Sequence, residues 1–289
     1  MIGKTVKVIV DRPLGSYHPK HKDMYYPINY GYVEGIIAPD GEEQDAYILG
    51  ITEPVKEFTG KVIAIIHRYD DVEEKWVVAP ENEIFTKEEI KEKVRFQEQY
   101  FDSEIRMKNV IHIFGASGSG TTTLGRKISE ELGYRFMDTD DYYWLPTNPK
   151  FIEKRPIDKR LMLMEKDIEE AENVVISGSL TDWGDTLIPL FTLAIRLETL
   201  AEVRIERLKK REKEAFGSRI EKGGDMYEHH LEFIEWAKAY DDGDLDMRSK
   251  AKHDEWQKLL KCPLLLLDGV DNLNENFLKI KRCLFEDNK

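Results

Sequence analysis

The sequence predicts two folds in series: a small β-rich barrel or sandwich over residues 1–105, then an α/β domain with a parallel sheet over residues 107–289. Three observations carry this reading. Short apolar runs punctuated by Gly and Pro fill the first hundred residues. After Met107, strand-like runs alternate with long helical stretches, as a parallel sheet with crossover helices requires. The length of 289 residues suits two modest domains at roughly 100–200 residues each.

The elements follow in order. Lys4–Val10 alternates, with Val6, Val8 and Val10 on one face, and reads as a strand. Lys61–Ile66 and Trp76–Ala79 are short apolar strands. Thr86 opens a helix as N-cap with Glu89 as capping-box partner, and the helix runs toward Phe101. Asp102–Lys108 reads as a short polar link between contacting domains. Beyond it, VIHIFG is an apolar strand ending in glycine, and a helix runs from about Thr121 to Leu132. RFMD, VVISG, TLAIRL and LLLLDG are further strands.

Composition limits the function classes. Hydrophobic residues at 41% and charged residues at 34% fit a folded globular chain, and no apolar run approaches the roughly 18 residues of a membrane span. The N-terminus MIGKTVKVIVDRP lacks signal-peptide anatomy. Only Cys262 and Cys283 are present, so a disulfide scaffold or cysteine zinc site is excluded and a cytoplasmic location is expected. The net charge is -13, and acidic residues outnumber basic ones on both sides of Ile105. No nucleic-acid partner and no membrane partner are expected. The sequence leaves a homo-oligomer open.

The densest chemistry of the first half lies in YPINYGYVEGIIAPDGEEQD, which holds Tyr26, Tyr30 and Tyr32, then Asp40, Glu42 and Asp45. Carboxylates at i, i+2 and i+5 around a glycine turn can converge on one point, an arrangement suited to Mg²⁺. Asp70, Asp71, Glu73 and Glu74 form a second acidic loop, followed by Lys75. Two such loops would hold more than one metal and clamp a phosphoryl group. An acidic turn is also a common solvated loop, and the tyrosines also suit core packing.

These residues resemble the soluble family I inorganic pyrophosphatases, whose signature is Tyr-Pro-x-Asn-Tyr-Gly-Tyr followed by Asp-Gly-Asp-x-x-Asp. The similarity runs through Asp70–Lys75 to Phe96–Tyr100 and covers essentially all of residues 1–105. It implies an OB-like small barrel with a helix, Mg²⁺ as cofactor and pyrophosphate as substrate. By this resemblance Asp40, Glu42 and Asp45 match metal carboxylates, with Glu42 as general base. Tyr30 matches the active-site tyrosine, and Asp71 (or Asp70) and Glu73 match two further metal ligands. Lys75 and Tyr100 match phosphate contacts, and Asp11 matches an acidic position of the first strand. The chain departs from the family at Glu42 and Glu73, which are longer, and at Phe101, where many members have lysine. The segment between Pro13 and Tyr26 is compressed, leaving Arg12, Lys20 and Lys22 as substitutes for the usual basic grips.

In the second half, Ile111–Leu124 reads IHIFGASGSGTTTL. Gly115, Gly118 and Gly120 follow a strand and open a helix, so backbone N–H groups can face phosphates at a helix N-terminus. Ser119, Thr121, Thr122 and Thr123 complete the candidate nucleotide loop, with the Thr122 hydroxyl placed for Mg²⁺. The pattern G-x-x-x-x-G-K-[ST] is met except that Thr121 stands at the lysine position. Arg204, Arg207 and Arg211, at i, i+3 and i+7, would bring cations from one helix face, or pair with Glu202, Glu206 and Glu212 as a solvated surface. Asp138 and Asp140 end the RFMD strand, on the edge where parallel sheets bind ligands, and suit Mg²⁺ or an acceptor hydroxyl. The segment Tyr142–Pro156 would lie over the acceptor. Gly115–Asp141 with Gly178 resembles P-loop small-molecule and nucleotide kinases of the shikimate kinase and adenylate kinase type. That resemblance implies a P-loop kinase fold with ATP, or another nucleoside triphosphate, and a small-molecule acceptor. The whole reads as Mg²⁺-dependent pyrophosphate hydrolysis joined to a kinase-like domain. The rival readings put the kinase first, or make it a non-catalytic nucleotide sensor.

Overall fold

The computed structural model of the chain describes residues 1–70, 74–81, 83 and 85–285. Two units of internal contact, Met1–Lys108 and Asn109–Lys289, divide it.

The N-terminal unit holds β1 (Thr5–Arg12), β2 (Asn29–Ile37), β3 (Glu43–Ile48), β4 (Glu57–Arg68), β5 (Glu74–Ala79), α1 (Lys87–Glu98) and β6 (Ser103–Met107). The sheet runs β1-β2-β3-β5-β4-β6, and a further β1–β4 pairing closes the first five strands into a barrel. Closure leaves those strands no free edge. Alternation sends Ala46 and Ile48 into one apolar cluster with Val8, Val33, Val62 and Trp76. Tyr47 and Leu49 enter a second cluster with Ile90 and Val94 of α1. Burial on both faces explains why β5 reads as an unbroken apolar run. α1 carries the expected capping box between Thr86 and Glu89.

Residues 103–107 correct the sequence expectation of a polar link. They form β6, paired antiparallel to β4, with Ile66 opposite Ile105. Ile105 is buried in the barrel's second cluster, so its side chain adds the strand. The two flanking charges hid a period-2 pattern with one strongly buried position.

Gly31, inside the NYGY segment, lies opposite Val10, next to an irregularity in the β1–β2 register. A Cβ there would sit 1.9 Å from the Ile9 carbonyl oxygen. Only glycine allows β1 to approach β2 this closely.

The C-terminal unit holds β7 (Val110–Gly115), α2 (Thr121–Leu132), β8 (Arg135–Asp138), α3 (Thr139–Tyr143), α4 (Ile157–Glu170), β9 (Val174–Ser177), β10 (Leu193–Glu198), α5 (Ala201–Phe216), α6 (Tyr227–Lys238), α7 (Lys250–Trp256), β11 (Leu264–Asp268) and α8 (Leu273–Phe285). Its sheet has the order β11-β10-β7-β9-β8. Every pairing is parallel. One apolar layer joins Ile111, Ile113 and Ile195 to α2 and α8 through Leu124, Ile128, Phe277 and Ile280. The opposite layer joins Phe114, Val174 and Ile176 to Met164, Trp183 and Trp256. Helices on both faces leave the C-terminal strand ends as the open edge, where a switch in strand order makes a crevice. β7 is the central strand of the order and ends at that crevice. Among the described residues no helix is long and apolar enough to cross a membrane.

Candidate functional sites

The loop between β7 and α2 is an open anion nest. Gly118 and Gly120 take φ of +81° and +107°, in the left-handed region that turns their amides inward. Gly120 is the N-cap of α2 and offers no side-chain cap, so the helix start has no carboxylate or hydroxyl of its own on its amides. The loop is braced from behind: Arg207 donates to the carbonyls of Ser119 (3.3 Å), Gly118 (3.5 Å) and Gly269 (3.0 Å). Holding carbonyls on one side leaves the amides for the other. The Ser119 hydroxyl is buried and has no hydrogen-bond partner among the described residues.

Thr122 and Asp138 meet at this site, the Thr122 hydroxyl lying 3.3 Å from Asp138 Oδ2. Asp138 also caps α3 by accepting from the Asp140 amide at 3.1 Å. Burial first, then the negative charge of Asp140, push the Asp138 carboxyl up to about 6. The backbone at Gly178 (φ +116°) packs so closely on α3 that a Cβ would lie 1.9 Å from Thr139 Oγ1. A hydroxyl and a carboxylate crowded by further negative charge make a donor pair that fits a hard cation completed by water. Beside the loop, a cleft of about 710 Å³ is lined by Ala116, Thr199, Tyr240, Lys250 and Asp268 among others.

The raised Asp138 carboxyl predicts a pH-dependent stability. The folded chain holds this proton up to about 6, whereas the unfolded chain releases it near 3.8. Between those values the folded state binds more protons, so stability falls as pH rises through the window. Asp138→Asn is expected to remove that slope. In ligand-free, metal-free buffer it should be the more stable protein at neutral pH, by on the order of 2 kcal/mol. Urea unfolding on both sides of the window checks this.

The arginine triplet does not act as one face. Arg204 is completely buried and donates to the carbonyls of Thr199 and Ala237 and to Asp241 at 2.5 Å. It holds α5 to the chain after α6 and is withdrawn from direct phosphate binding. Arg207 serves the loop carbonyls, and Arg211 is exposed. Arg155 donates to the carbonyls of Tyr142 and Trp144 and straps the segment expected over an acceptor. Thr121 is half-buried and Thr123 exposed at the start of α2.

Three side chains escaped sequence reasoning. Arg248 reaches the loop, its Nη2 donating to Ser117 Oγ at 2.5 Å across 131 residues of chain. His253 is enclosed by Tyr240 (2.8 Å) and Ser179 (3.0 Å), and burial, then the charges of Arg248 and Arg196, lower its pKa to about 3. His112 in β7 lies 2.9 Å from the Gly178 carbonyl, and burial lowers it to about 4. None has a spacing signature; each is brought in by the return of α7 or by the sheet.

In the N-terminal barrel, Tyr30 is buried. Burial, followed by the negative charge of Asp45, raises its phenol well above the ordinary range. Lys75, also buried, is ion-paired to Asp45. The Arg12 guanidinium lies 5.5 Å from the Tyr30 ring centre, and Asp11 pairs with Arg12 at 2.6 Å. These residues come together. The expected convergence of Asp40, Glu42 and Asp45 does not form. Asp45 lies in β3, beside Lys75 of β5 and Tyr30 of β2, while Asp40, in the exposed turn, accepts from the Glu42 amide at 2.9 Å. Among the described residues no three His, Cys, Asp or Glu side chains are grouped to hold a metal. Asp71 and Glu73 lie outside the described residues. Tyr100 is exposed just past α1. Behind the site, Glu98 accepts from Tyr47 and from Arg68 at 2.5 Å each, and all three are buried.

The family model described as an AAA domain matches residues 111–232. The uncharacterized protein YqaC of Bacillus subtilis is 42% identical over 169 residues, spanning 58% of this chain and 93% of YqaC. A cytidylate kinase of Methanocorpusculum labreanum is 31% identical over 140 residues, spanning 43% of this chain and 77% of the kinase. Through its C-terminal unit, the chain belongs to the P-loop kinase-like family of these relatives. The match begins inside β7 and takes in the loop, α2 and the whole of α5, so the nest described above lies in the shared part. The chain has a weak structural likeness to an inorganic pyrophosphatase of Ehrlichia chaffeensis, with 17% identity and a TM-score of 0.30 over 37% of this chain and 88% of that one.

Proposed function

We propose that the C-terminal unit is the working enzyme: it binds a nucleoside triphosphate on Gly115–Thr122 and transfers the terminal phosphoryl group to a small acceptor. The observation that carries this is the Thr122–Asp138 pair standing beside an uncapped, carbonyl-braced glycine loop. Phosphoryl transfer asks mostly for positioning and charge stabilisation, which backbone amides supply without a side chain. Thr122 and Asp138 would hold Mg²⁺, which neutralises charge on the phosphates when bound. Asp138 and Asp140 face the acceptor side. The cleft beside Ala116 would take the nucleoside. Cytidylate is the first acceptor to try, because a cytidylate kinase is among the relatives.

A second activity is supported by the N-terminal resemblance and by the joining of Arg12, Tyr30, Asp45 and Lys75 in one barrel. On this reading the barrel hydrolyses pyrophosphate, or another small phosphoanhydride, with Asp45 and Lys75 at the site. The described carboxylates do not present a formed metal cage. Any hydrolysis with Mg²⁺ would need Asp40 and Glu42 to turn toward Asp45.

Two assays on the full chain test both readings. ADP release from ATP and CMP is expected in the wild type and in Asp45→Asn, and to fall about a hundredfold in Thr122→Ala. Phosphate release from pyrophosphate is expected to be lost in Asp45→Asn and kept in Thr122→Ala. ADP release unchanged in Thr122→Ala would refute the kinase assignment.

A further inference from the structure

The nucleotide loop lacks its lysine, and the site must find positive charge elsewhere. The nearby guanidiniums are mostly occupied. Arg204 is bound to Asp241, Arg196 to Asp254 and Gln257, and Arg207 to three backbone carbonyls. Arg248 differs. Its Nη2 rests on Ser117 Oγ in the loop, and its guanidinium lies 4.6 Å from the Trp236 ring centre. Its Nε is buried and makes no hydrogen bond among the described residues. Among the described residues no ion pair is formed by Arg248; Asp140 attracts it only at longer range. An enclosed guanidinium normally has a carboxylate partner, because desolvating the charge is costly. Here burial lowers its pKa, yet a guanidinium remains charged at neutral pH.

The side chain is also held in place. Ser249, the next residue, caps α7 by accepting from the Lys252 amide at 3.0 Å and donates to the Asp244 carbonyl at 2.5 Å. Trp236 of α6 supports the guanidinium plane. A charge without a counter-ion, fixed from two elements against an anion nest, is a charge whose partner arrives with the ligand.

We propose that Arg248 contacts the terminal phosphates of the bound nucleoside triphosphate and takes the place of the lysine absent at Thr121. This rests on the reading of Gly115–Thr122 as a nucleotide loop. The planar fork can grip phosphate oxygens with two parallel hydrogen bonds, which a lysine cannot. It arrives from the chain just before α7, so the phosphate site is completed only when that segment is docked on the loop.

The test is calorimetric titration of Mg·ATP into the full chain, in four forms: wild type, Arg248→Met, Arg248→Lys, and Arg248→Met with Thr121→Lys. Met keeps the stem packed on Trp236 and removes the charge. Arg248→Met is expected to weaken ATP binding roughly 10–100-fold, as loss of a charge-assisted contact does. Thr121→Lys in that background is expected to restore most of the affinity, which a purely structural role for Arg248 would not allow. Arg248→Lys, which retains the charge, guards against an unfolded Met variant and is expected to bind several-fold more weakly than the wild type. Wild-type affinity in Arg248→Met and Arg248→Lys would overturn the proposal and leave the nucleotide site standing. So would a loss that Thr121→Lys fails to repair in a variant melting at the wild-type temperature. Absence of ATP binding in the wild type would overturn the nucleotide site itself, and the proposal with it.

Discussion

Glu98→Ala is expected to destabilise the N-terminal barrel by about 3–5 kcal/mol, the largest stability effect of any single substitution considered for that unit. Glu98 ends α1 and is buried, with one oxygen accepting from Tyr47 and Arg68 and the other from Arg68 Nε at 3.0 Å. Arg68 is itself buried, with its guanidinium 3.6 Å from the Phe101 ring centre. Burial works against its charge, and the hydrogen bonds and charge of Glu98 more than offset this, raising its pKa. Removing the carboxylate therefore takes a buried anionic partner from an enclosed cation. Tyr47→Phe removes one hydroxyl from the same network and should cost only about 1 kcal/mol. Amide hydrogen exchange resolved over β1 to β6 would show the barrel opening in Glu98→Ala while β7 to β11 keep their protection. Unchanged exchange in the barrel would contradict the network's role. Tyr30 and Asp45 lie on the Tyr47 side of this network, and the Tyr30 and Tyr47 rings are 5.0 Å apart. Loss of pyrophosphate hydrolysis in Glu98→Ala would then follow from unfolding.

Gly115→Val is expected to lower ATP affinity by about two orders of magnitude, because sub-ångström placement governs such sites. A Cβ at Gly115 would lie 2.4 Å from the Leu197 carbonyl oxygen and 2.9 Å from Ser119 Oγ. Leu197 is the β10 residue registered with Gly115, so neither strand can give way without breaking the sheet at its centre. The strain therefore falls on the loop, and its amides lose their common focus. Gly133→Ala is the matched control. That residue ends α2 with φ +71°, and nothing lies within 4 Å of its Cβ position. It should cost about 1–2 kcal/mol of stability and leave ATP affinity unchanged. Equal affinity in wild type and Gly115→Val would show that the nucleotide does not use this loop.

Much of the fold was legible because the apolar periods are clean. VIHIFG and RFMD appear as the strands Val110–Gly115 and Arg135–Asp138, and the helix from Thr121 to Leu132 ends at Gly133, whose positive φ stops it. Local signals of this kind lie within one turn or one strand. β6 was missed because Glu104 and Arg106 mask a strand held by the single well-buried Ile105. In the sites, Thr122 and Asp138 were legible because the ends of adjacent elements fix them. Arg204 was misread because helical spacing says that three arginines share a face but not whether that face is turned inward. Arg248 was invisible because its contact with Ser117 depends on how the chain returns after α6, and no spacing records that. The i, i+2, i+5 carboxylates failed for a related reason. Asp45 is already within β3, and its position is set by the pairing with Lys75 and Tyr30 and not by the turn.

The most direct measurement is transfer of radiolabelled γ-phosphate from ATP by the full chain, with nucleoside monophosphates and small hydroxyl compounds offered in turn as acceptors. Label is expected on one acceptor, in stoichiometry with ADP, and is expected to be lost in Thr122→Ala. ATP binding without label on any acceptor would contradict catalysis by the C-terminal unit and would leave that unit as a nucleotide sensor.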